Sequence, residues 1–375
     1  MRVAWVGTYV PEFSRNRRLA EYLARCDVEL SVTRVDLWPS NRLEAFERRR
    51  MVVWLKALVA YPLLLLKLFF QRRPDVYLVS YPGWFDLPVV KLVAAMKRRP
   101  VVFDIFISLF DTAVSDRQLV EPSSVVARLA RLMDRLALRL ADVVIADCPA
   151  HGRFFSSLAG GTPRVEVLYL GANEEVFRPR SNTDPVPGRV LFYGTYVPLQ
   201  GAEWIVRAAS ILADRGVPAE FVMVGDGQER QRVEDLSRSL GGNVEFRQAM
   251  SPDQLVDEMY RASVVLGVFG TSAKANRVIP HKVFEAVACG RPVLTADTEA
   301  IREGFDDGAI ATCPPGDPGA LANALAELAS DPARLRDLAN GARAVYVRRY
   351  SADNQVQRLA RILKAARRRE RPGSK

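Results

Sequence analysis

Charged side chains that suit phosphate chemistry are concentrated at residues 270–298, which read GTSAKANRVIPHKVFEAVACGRPVLTADT. Lys274, Arg277 and Lys282 supply three positive charges, and Glu285 follows one helical turn after the last of them. Cations beside a helix N-terminus, whose N–H groups are unpaired, suit a phosphate. A carboxylate can accept hydrogen bonds from a ribose diol. The pattern predicts a nucleoside-diphosphate site, with solvated surface charges as the plainer alternative.

A strand, a loop, a helix and a second strand must position these side chains. The apolar run at 264–269 predicts a buried strand. Pro280 suits the first turn of a short helix with an apolar stripe, which Gly290 would end and Pro292 would block. The cations therefore lie at the expected N-terminus of this helix.

The run Pro280 to Pro292 (PHKVFEAVACGRP) resembles the donor-site motif of retaining glycosyltransferases of family four, which have the GT-B fold. This resemblance implies a nucleotide-sugar donor, with Glu285 on the ribose and Lys282 and Arg277 on the phosphates as catalytic groups. Two glutamates eight positions apart usually mark the motif, and the first position is Arg277 in this chain. Branches with the Pro-x-Lys form often lack that first glutamate.

The resemblance covers nearly the whole chain and is strongest from about 189 to 350. It implies an α/β protein of two Rossmann-like domains facing across a cleft, which the alternation of strands and helices also predicts. We expect an N-terminal acceptor-side domain at 1–180, a linker at 181–188 and a donor domain at 189–350. The segment 351–375 is expected to contain a helix that crosses back to the N-terminal domain, followed by a basic tail.

On the donor side, the resemblance adds residues that follow predicted strands. Gly194, Thr195, Gly225 and Gly227 are expected to lie against the nucleotide. Family members commonly carry an arginine after the first of these glycines and a lysine a few residues on, where this chain has Thr195 and Gln200. The cations at 274, 277 and 282 are expected to replace those charges.

On the acceptor side, Gly7, Thr8 and Tyr9 follow the first predicted strand. Asp104 ends another predicted strand, where open α/β sheets place ligands. We predict that Asp104 contacts the acceptor hydroxyl as a catalytic group, and a carboxylate that caps the next turn is the open alternative. Relatives often carry a histidine two residues after this position, which is Phe106 here.

Composition limits the other classes of protein. The 375 residues are 49% hydrophobic and 26% charged, enough for two packed domains. The four cysteines lie far apart and predict reduced thiols in a cytosolic protein. With two histidines and no Asp-x-Asp triplet, we expect neither a metal site nor a cofactor beyond the donor itself. No secretory signal is expected at the start of the chain.

The net charge of +10 is unevenly distributed. Residues 1–180 hold 27 basic and 19 acidic side chains, and residues 358–375 hold 8 basic and 1 acidic. This predicts an anionic partner, and no nucleic-acid motif is present. The apolar stretch 51–70 is flanked by arginines at 48–50 and at 72–73. It favours a helix in the interface of an anionic membrane, with a buried core helix or a true span as alternatives.

These patterns predict a glycosyltransferase that is retaining and metal-independent. The acceptor is expected to be a lipid-linked or cell-envelope glycan, and the enzyme to lie in the cytoplasm, on the inner face of the membrane. Two alternatives remain open. One is a catalytically inactive nucleotide-sugar binding module at the membrane, and the other is a nucleotide-sugar epimerase of the same fold.

Overall fold

The computed structural model describes residues 1–38, 43–161, 163–180 and 184–368, without the side chains of 43–51 and of Trp54. The side chains of the arginines at 48–50 and of Trp54 are therefore not described, and the start of the predicted linker and the tail from residue 369 lie outside the described residues. Within the described part, strands and helices alternate along the whole chain, which confirms the predicted α/β class.

The strands all belong to two parallel sheets. They are β1 (Arg2–Gly7), β2 (Glu29–Arg34), β3 (Val76–Ser80), β4 (Val101–Asp104), β5 (Val143–Ala146), β6 (Arg164–Val167), β7 (Val186–Tyr193), β8 (Glu220–Val224), β9 (Val244–Arg247), β10 (Ala262–Leu266), β11 (Val293–Ala296) and β12 (Ala311–Cys313). The first sheet has the order β2-β1-β3-β4-β5-β6, and the second has the order β12-β11-β10-β7-β8-β9.

Helices connect the strands, as parallel pairing requires. They are α1 (Ser14–Arg25), α2 (Leu43–Phe70), α3 (Leu87–Met96), α4 (Val125–Leu140), α5 (Pro149–Ala159), α6 (Ala202–Asp214), α7 (Arg230–Leu240), α8 (Pro252–Arg261), α9 (Ala273–Arg277), α10 (His281–Ala288), α11 (Glu299–Gly304), α12 (Pro318–Ser330), α13 (Pro332–Val345) and α14 (Ala352–Arg368).

The chain forms two compact units. Unit 1 comprises Met1–Thr112, Val120–Leu170 and helix α14 from Asp353, and unit 2 comprises Ala113–Leu119 and Gly171–Ala352. The short segment 113–119 thus leaves unit 1 for unit 2 and returns. The predicted linker overlaps β7, since residues 186–188 begin that strand.

Unit 1 has a core between its sheet and the helices that cover it, with residues such as Val6, Leu64, Val90 and Phe103 fully buried. Helix α14 is part of this unit: the buried Gln355 accepts a hydrogen bond from the Tyr169 N–H at 3.1 Å. The buried strands are nearly continuous apolar runs, which is typical of parallel sheets covered on both faces.

Unit 2 has its own core, to which β7, β8, β10 and β11 contribute. Helix α10 begins at His281 as predicted, but Pro280 is its N-cap in extended conformation and is not part of its first turn. The predicted strand 264–269 is also too long. Strand β10 ends at Leu266. The next residue, Gly267, packs closely on Thr295, and a Cβ at Gly267 would lie 2.2 Å from the Thr295 hydroxyl oxygen.

The apolar stretch 51–70 lies within α2, which is longer than predicted and starts at Leu43. Val53, Ala60, Leu64 and Leu68 face the core of unit 1. Among the helices that the structure describes, none is both long and apolar enough to cross a membrane.

Candidate active site

Helix α10 fixes a carboxylate at the carboxyl edge of the second sheet. The Glu285 side chain is largely buried, and its Oε2 accepts a hydrogen bond from the Tyr193 hydroxyl at 2.7 Å. The other oxygen lies 3.7 Å from Nδ1 of His281. Burial and the charge of Glu285 raise the pKa of Tyr193 well above its ordinary value, so this tyrosine remains a hydrogen-bond donor. The carboxylate is therefore held in one orientation.

Lys282, on the same helix, is a buried cation held mainly by neutral groups. Its exposure is 5%, and its Nζ donates a hydrogen bond to the Gln200 amide oxygen at 2.6 Å. The Phe192 ring centroid lies 3.8 Å from the same nitrogen. Burial lowers the pKa of Lys282 well below its usual value, and only the charge of Glu285 opposes this. In the described chain, no carboxylate lies within salt-bridge distance of Lys282, so an added anion would stabilise its charge.

The predicted donor glycines come together beside Lys282. Gly194 has φ +147°, and a Cβ there would lie 3.2 Å from the Lys282 Nζ. Gly225 has φ +130°, and a Cβ there would lie 2.0 Å from the Gly194 carbonyl oxygen. The loops after β7 and β8 therefore pack backbone against backbone, and Gly227 continues this contact next to Tyr196. Thr195, in the first of these loops, is exposed.

The other two predicted phosphate cations lie on α9. Arg277 ends this helix. Lys274 is buried and pairs with Asp116, whose Oδ2 lies 2.8 Å from the lysine Nζ. Asp116 belongs to the segment 113–119 of unit 2, and the Gln228 side chain donates to the carbonyl oxygen of Arg117 in the same segment at 3.3 Å. A carboxylate thus already neutralises one predicted phosphate cation.

In unit 1, the predicted acceptor residues have mainly internal contacts. Thr8 donates to the buried Asp86 from its backbone N–H (2.7 Å) and from its hydroxyl (2.8 Å). Burial raises the pKa of Asp86 to about 6. Tyr9 stacks on Trp5 with ring centroids 4.1 Å apart. Gly7 lies against Asp86, where a Cβ would be 2.3 Å from the carboxylate oxygen Oδ2. Both side chains, of Thr8 and of Tyr9, are buried.

Asp104 lies at the end of β4, as expected, but it is fully buried. Both of its oxygens accept hydrogen bonds from Arg15, with Nε–Oδ2 at 2.8 Å and Nη2–Oδ1 at 2.9 Å. Arg15 also donates to the Leu168 carbonyl oxygen at 2.8 Å. This geometry favours a structural role for Asp104, although not the predicted alternative of a turn cap. Its predicted contact with an acceptor hydroxyl stays a prediction.

Several residues of these sites were missed by the sequence reasoning: Tyr193, Gln200, Asp116, Arg15 and Asp86. A weak signal existed for Tyr193 and Gln200, since both flank the predicted Gly194 loop. The others lie far along the chain from their partners. Among the described residues, no group of three or more His, Cys, Asp or Glu side chains is arranged to hold a metal ion.

Comparison with known families shows two matches, which together cover most of the chain. Residues 14–171 match the family described as glycosyl transferase 4-like domain. Residues 187–331 match the family described as glycosyl transferases group 1.

Among curated proteins, the chain is 27% identical over 316 residues to a D-inositol 3-phosphate glycosyltransferase of Streptomyces bingchenggensis. The alignment covers 78% of this chain and 67% of that relative. Across three such relatives, the chain spans only 57% to 67% of their length.

Among solved structures, sucrose-phosphate synthase from Thermosynechococcus elongatus superimposes with a TM-score of 0.73 at 17% identity, over 97% of this chain and 98% of that one. HepE of Anabaena, solved with UDP and glucose, gives a TM-score of 0.69 at 18% identity, over 97% and 100%. At these identities the likeness concerns the fold, and it agrees with the predicted two-domain architecture.

Proposed function

This chain belongs to the family-four type of glycosyltransferases with the GT-B fold, and we propose that it transfers a sugar from a nucleoside-diphosphate donor to a glycan acceptor. The proposal rests on the side chains that the first turn and a half of α10 presents. This part of the helix presents a buried ammonium, Lys282, and an oriented carboxylate, Glu285, beside the close-packed glycine loop at Gly194. A diphosphate and a ribose diol complement these two groups.

In the proposed reaction, the bond between the anomeric carbon and the diphosphate oxygen breaks, and the acceptor hydroxyl oxygen bonds to that carbon on the same face. The hydroxyl proton passes to the leaving diphosphate. Negative charge grows on the diphosphate during this step, and Lys282 with the other cations of unit 2 would stabilise it. Retention of anomeric configuration is what the family resemblance implies for this chain.

A thermal-shift assay with a panel of nucleoside diphosphates tests the donor site, because a ligand that binds only the folded protein raises its melting temperature. We expect one diphosphate to stabilise the wild type and to stabilise Glu285→Ala much less. Glu327→Ala, which removes an exposed carboxylate of the same unit, is the matched control. Stabilisation that is equal in all three proteins, or absent from the wild type, contradicts the proposal.

Turnover separates an enzyme from an inactive binding module and from an epimerase. We expect a labelled sugar to move from its nucleotide to an added glycan or lipid-linked acceptor, with the anomeric configuration retained and with activity unchanged in EDTA. Binding without turnover would support the inactive module. Interconversion of the donor sugar would support the epimerase.

We further propose that the protein works at the inner face of the cytoplasmic membrane, on a lipid-linked or cell-envelope acceptor. The support is the outer side of α2, where Leu55, Val59, Leu66 and Phe70 are exposed while other apolar residues of the helix face the core. An exposed apolar stripe on a helix flanked by arginines is typical of an interfacial helix. Vesicle binding by the wild type that persists in Leu55→Ser/Val59→Ser/Leu66→Ser would rule out this contact.

A further inference from the structure

Helices α4 and α5 of unit 1 border a surface cavity of about 370 Å³ that the functional proposal does not use. Three arginines dominate its lining, and they lie three and four positions apart along α4, which places them on one side of that helix. The full lining is Arg128, Arg131, Leu132, Arg135, Phe154, Ser157 and Leu158.

The charges of these arginines are not neutralised locally. No described carboxylate lies within salt-bridge distance of Arg128, Arg131 or Arg135. The one acidic residue of α4, Asp134, is buried and accepts hydrogen bonds from Ser108 and from the N–H groups of residues 109 and 110. Helix α5 contains no acidic residue. The cavity therefore concentrates positive charge at every accessible pH, because guanidinium groups do not lose their proton.

The next arginine along α4 shows the contrast. The Arg139 Nε donates to the Ala159 carbonyl oxygen at the end of α5, at 2.9 Å, so this side chain ties the two helices together. Arg131 instead places its guanidinium over the Phe110 ring, 5.5 Å from the centroid. Stacking of this kind leaves the N–H edge of a guanidinium available to an anion.

Apolar side chains flank the arginines on the solvent side of α4. Leu129, Leu132 and Leu136 are each about half exposed. The same layer of helices continues through α3, which packs on both α4 and α2. Exposed apolar residues are found on all three helices, among them Leu58 and Phe70 on α2, Met96 on α3 and Val125 on α4.

We propose that the arginine-lined cavity binds the phosphate of an anionic phospholipid headgroup, while the exposed leucines of α4 contact the lipid below it. Arginine forks bind phosphate oxygens in pairs, and the Ser157 hydroxyl adds a donor at the rim. The adjoining apolar residues favour a lipid over free phosphate or nucleic acid, neither of which would cover them. The inference rests on the membrane part of the proposed function and adds a specific headgroup site on α4.

The test is binding to phosphatidylcholine vesicles with and without phosphatidylglycerol. Each basic residue near an anionic membrane adds to its attraction, so we expect Arg128→Gln/Arg131→Gln/Arg135→Gln to bind the anionic vesicles at least about tenfold more weakly. The charge-matched control replaces three exposed arginines of unit 2, Arg238, Arg334 and Arg336, by glutamine. An equal loss in both triple variants, or no loss in the α4 variant, overturns the inference.

Two further arms separate the sources of phosphate. If inorganic phosphate binds the wild type and not the α4 variant, while both proteins bind the anionic vesicles equally, the site takes free phosphate and the lipid assignment is wrong. If the α4 variant loses affinity for duplex DNA but retains vesicle binding, the assignment is equally wrong. The nucleoside-diphosphate thermal shift is measured on the same variants and is expected to be unchanged, so a failure of the headgroup site is distinguishable from a failure of the donor site.

Discussion

Two buried cations, Arg15 in unit 1 and Lys282 in unit 2, have opposite surroundings. In unit 1, Arg15 is fully buried and makes hydrogen bonds to both carboxylate oxygens of Asp104 and to a backbone carbonyl. In unit 2, Lys282 is nearly as buried, but its ammonium meets an amide oxygen and an aromatic ring. The charge of Arg15 is therefore paired with a carboxylate inside the fold, whereas, among the described residues, the charge of Lys282 is not.

This difference in surroundings indicates which buried charge stabilises the fold and which one binds a ligand. When one partner of a buried ion pair is removed, the other charge is left buried and unpaired, and the folded state loses stability. Such a pair is therefore expected to have a structural role. A buried cation without a charged partner costs stability, and this cost is offset when an anionic ligand binds. The comparison assigns Arg15 and Asp104 to the stability of unit 1 and Lys282 to ligand binding, and each assignment can be tested.

The largest expected effect is on stability, in unit 1. Asp104→Asn leaves Arg15 buried without its carboxylate and should lower the free energy of unfolding by about 3–5 kcal/mol. Urea denaturation followed by circular dichroism measures the change. The double variant Arg15→Met/Asp104→Leu should regain most of the loss, because it removes both charges. A loss below about 1 kcal/mol in Asp104→Asn would show that the pair is not structural.

The second effect is on binding, in unit 2. Lys282→Met should keep or increase stability, since it removes a buried charge, while affinity for the nucleoside diphosphate falls about 10- to 100-fold. Isothermal titration calorimetry measures the affinity, and Lys364→Met, which removes an exposed lysine of α14, is the control. Unchanged affinity in Lys282→Met would remove this lysine from the donor site.

A third prediction concerns pH. Burial holds the pKa of Lys282 well below its usual value, so the ammonium loses its proton at a lower pH than an ordinary lysine, whose pKa is about 10.4. Because only the protonated form attracts a diphosphate, affinity should fall as pH rises through the lowered pKa. Titrations of the wild type over a series of pH values below the pKa of an ordinary lysine should show this fall. The profile of Lys282→Met should be flat over the same range, and parallel profiles would contradict the assignment.

The smallest expected effect is on donor affinity, through Lys274, whose charge Asp116 already neutralises. Asp116→Asn keeps the shape of the side chain but removes the carboxylate that pairs with Lys274. Affinity for the nucleoside diphosphate should rise, because the buried ammonium of Lys274 loses its neutralising carboxylate and a phosphate can take that place. Asp337→Asn, at an exposed site of the same unit, provides the control. A decrease in affinity would instead show that Asp116 orients Lys274 for the donor.

Local patterns predicted the parts of the site that lie close together in sequence. Helix α10, its end before Gly290 and the placement of Lys282 and Glu285 in its first turns follow from apolar periodicity and from glycine and proline chemistry. The partners of these residues could not be predicted. Tyr193 lies 92 positions from Glu285, and Asp116 lies 158 positions from Lys274, so only the assembled sheet and loops bring them together.

The apolar stretch 51–70 shows a second limit. Composition predicted a helix but could not say which side of it packs, because this stretch is apolar almost all round. The structure resolves this through the sheet, which buries Leu64 and Leu68 and leaves Leu55 and Leu66 exposed. The part of the chain that the structure describes leaves the exposed side of α2 uncovered, so a binding partner would have to cover it.

Helix α14 has a consequence for how the protein is made. Unit 1 is built from distant parts of the chain: the Cys26 thiol approaches the Val356 carbonyl oxygen at 3.5 Å, and Tyr169 donates to Gln355. Nearly all of unit 2, residues 171–352, is synthesised in one continuous run before α14 emerges from the ribosome. Unit 1 therefore begins first but completes its core last, and the apolar surface that α14 covers stays open until the end of translation.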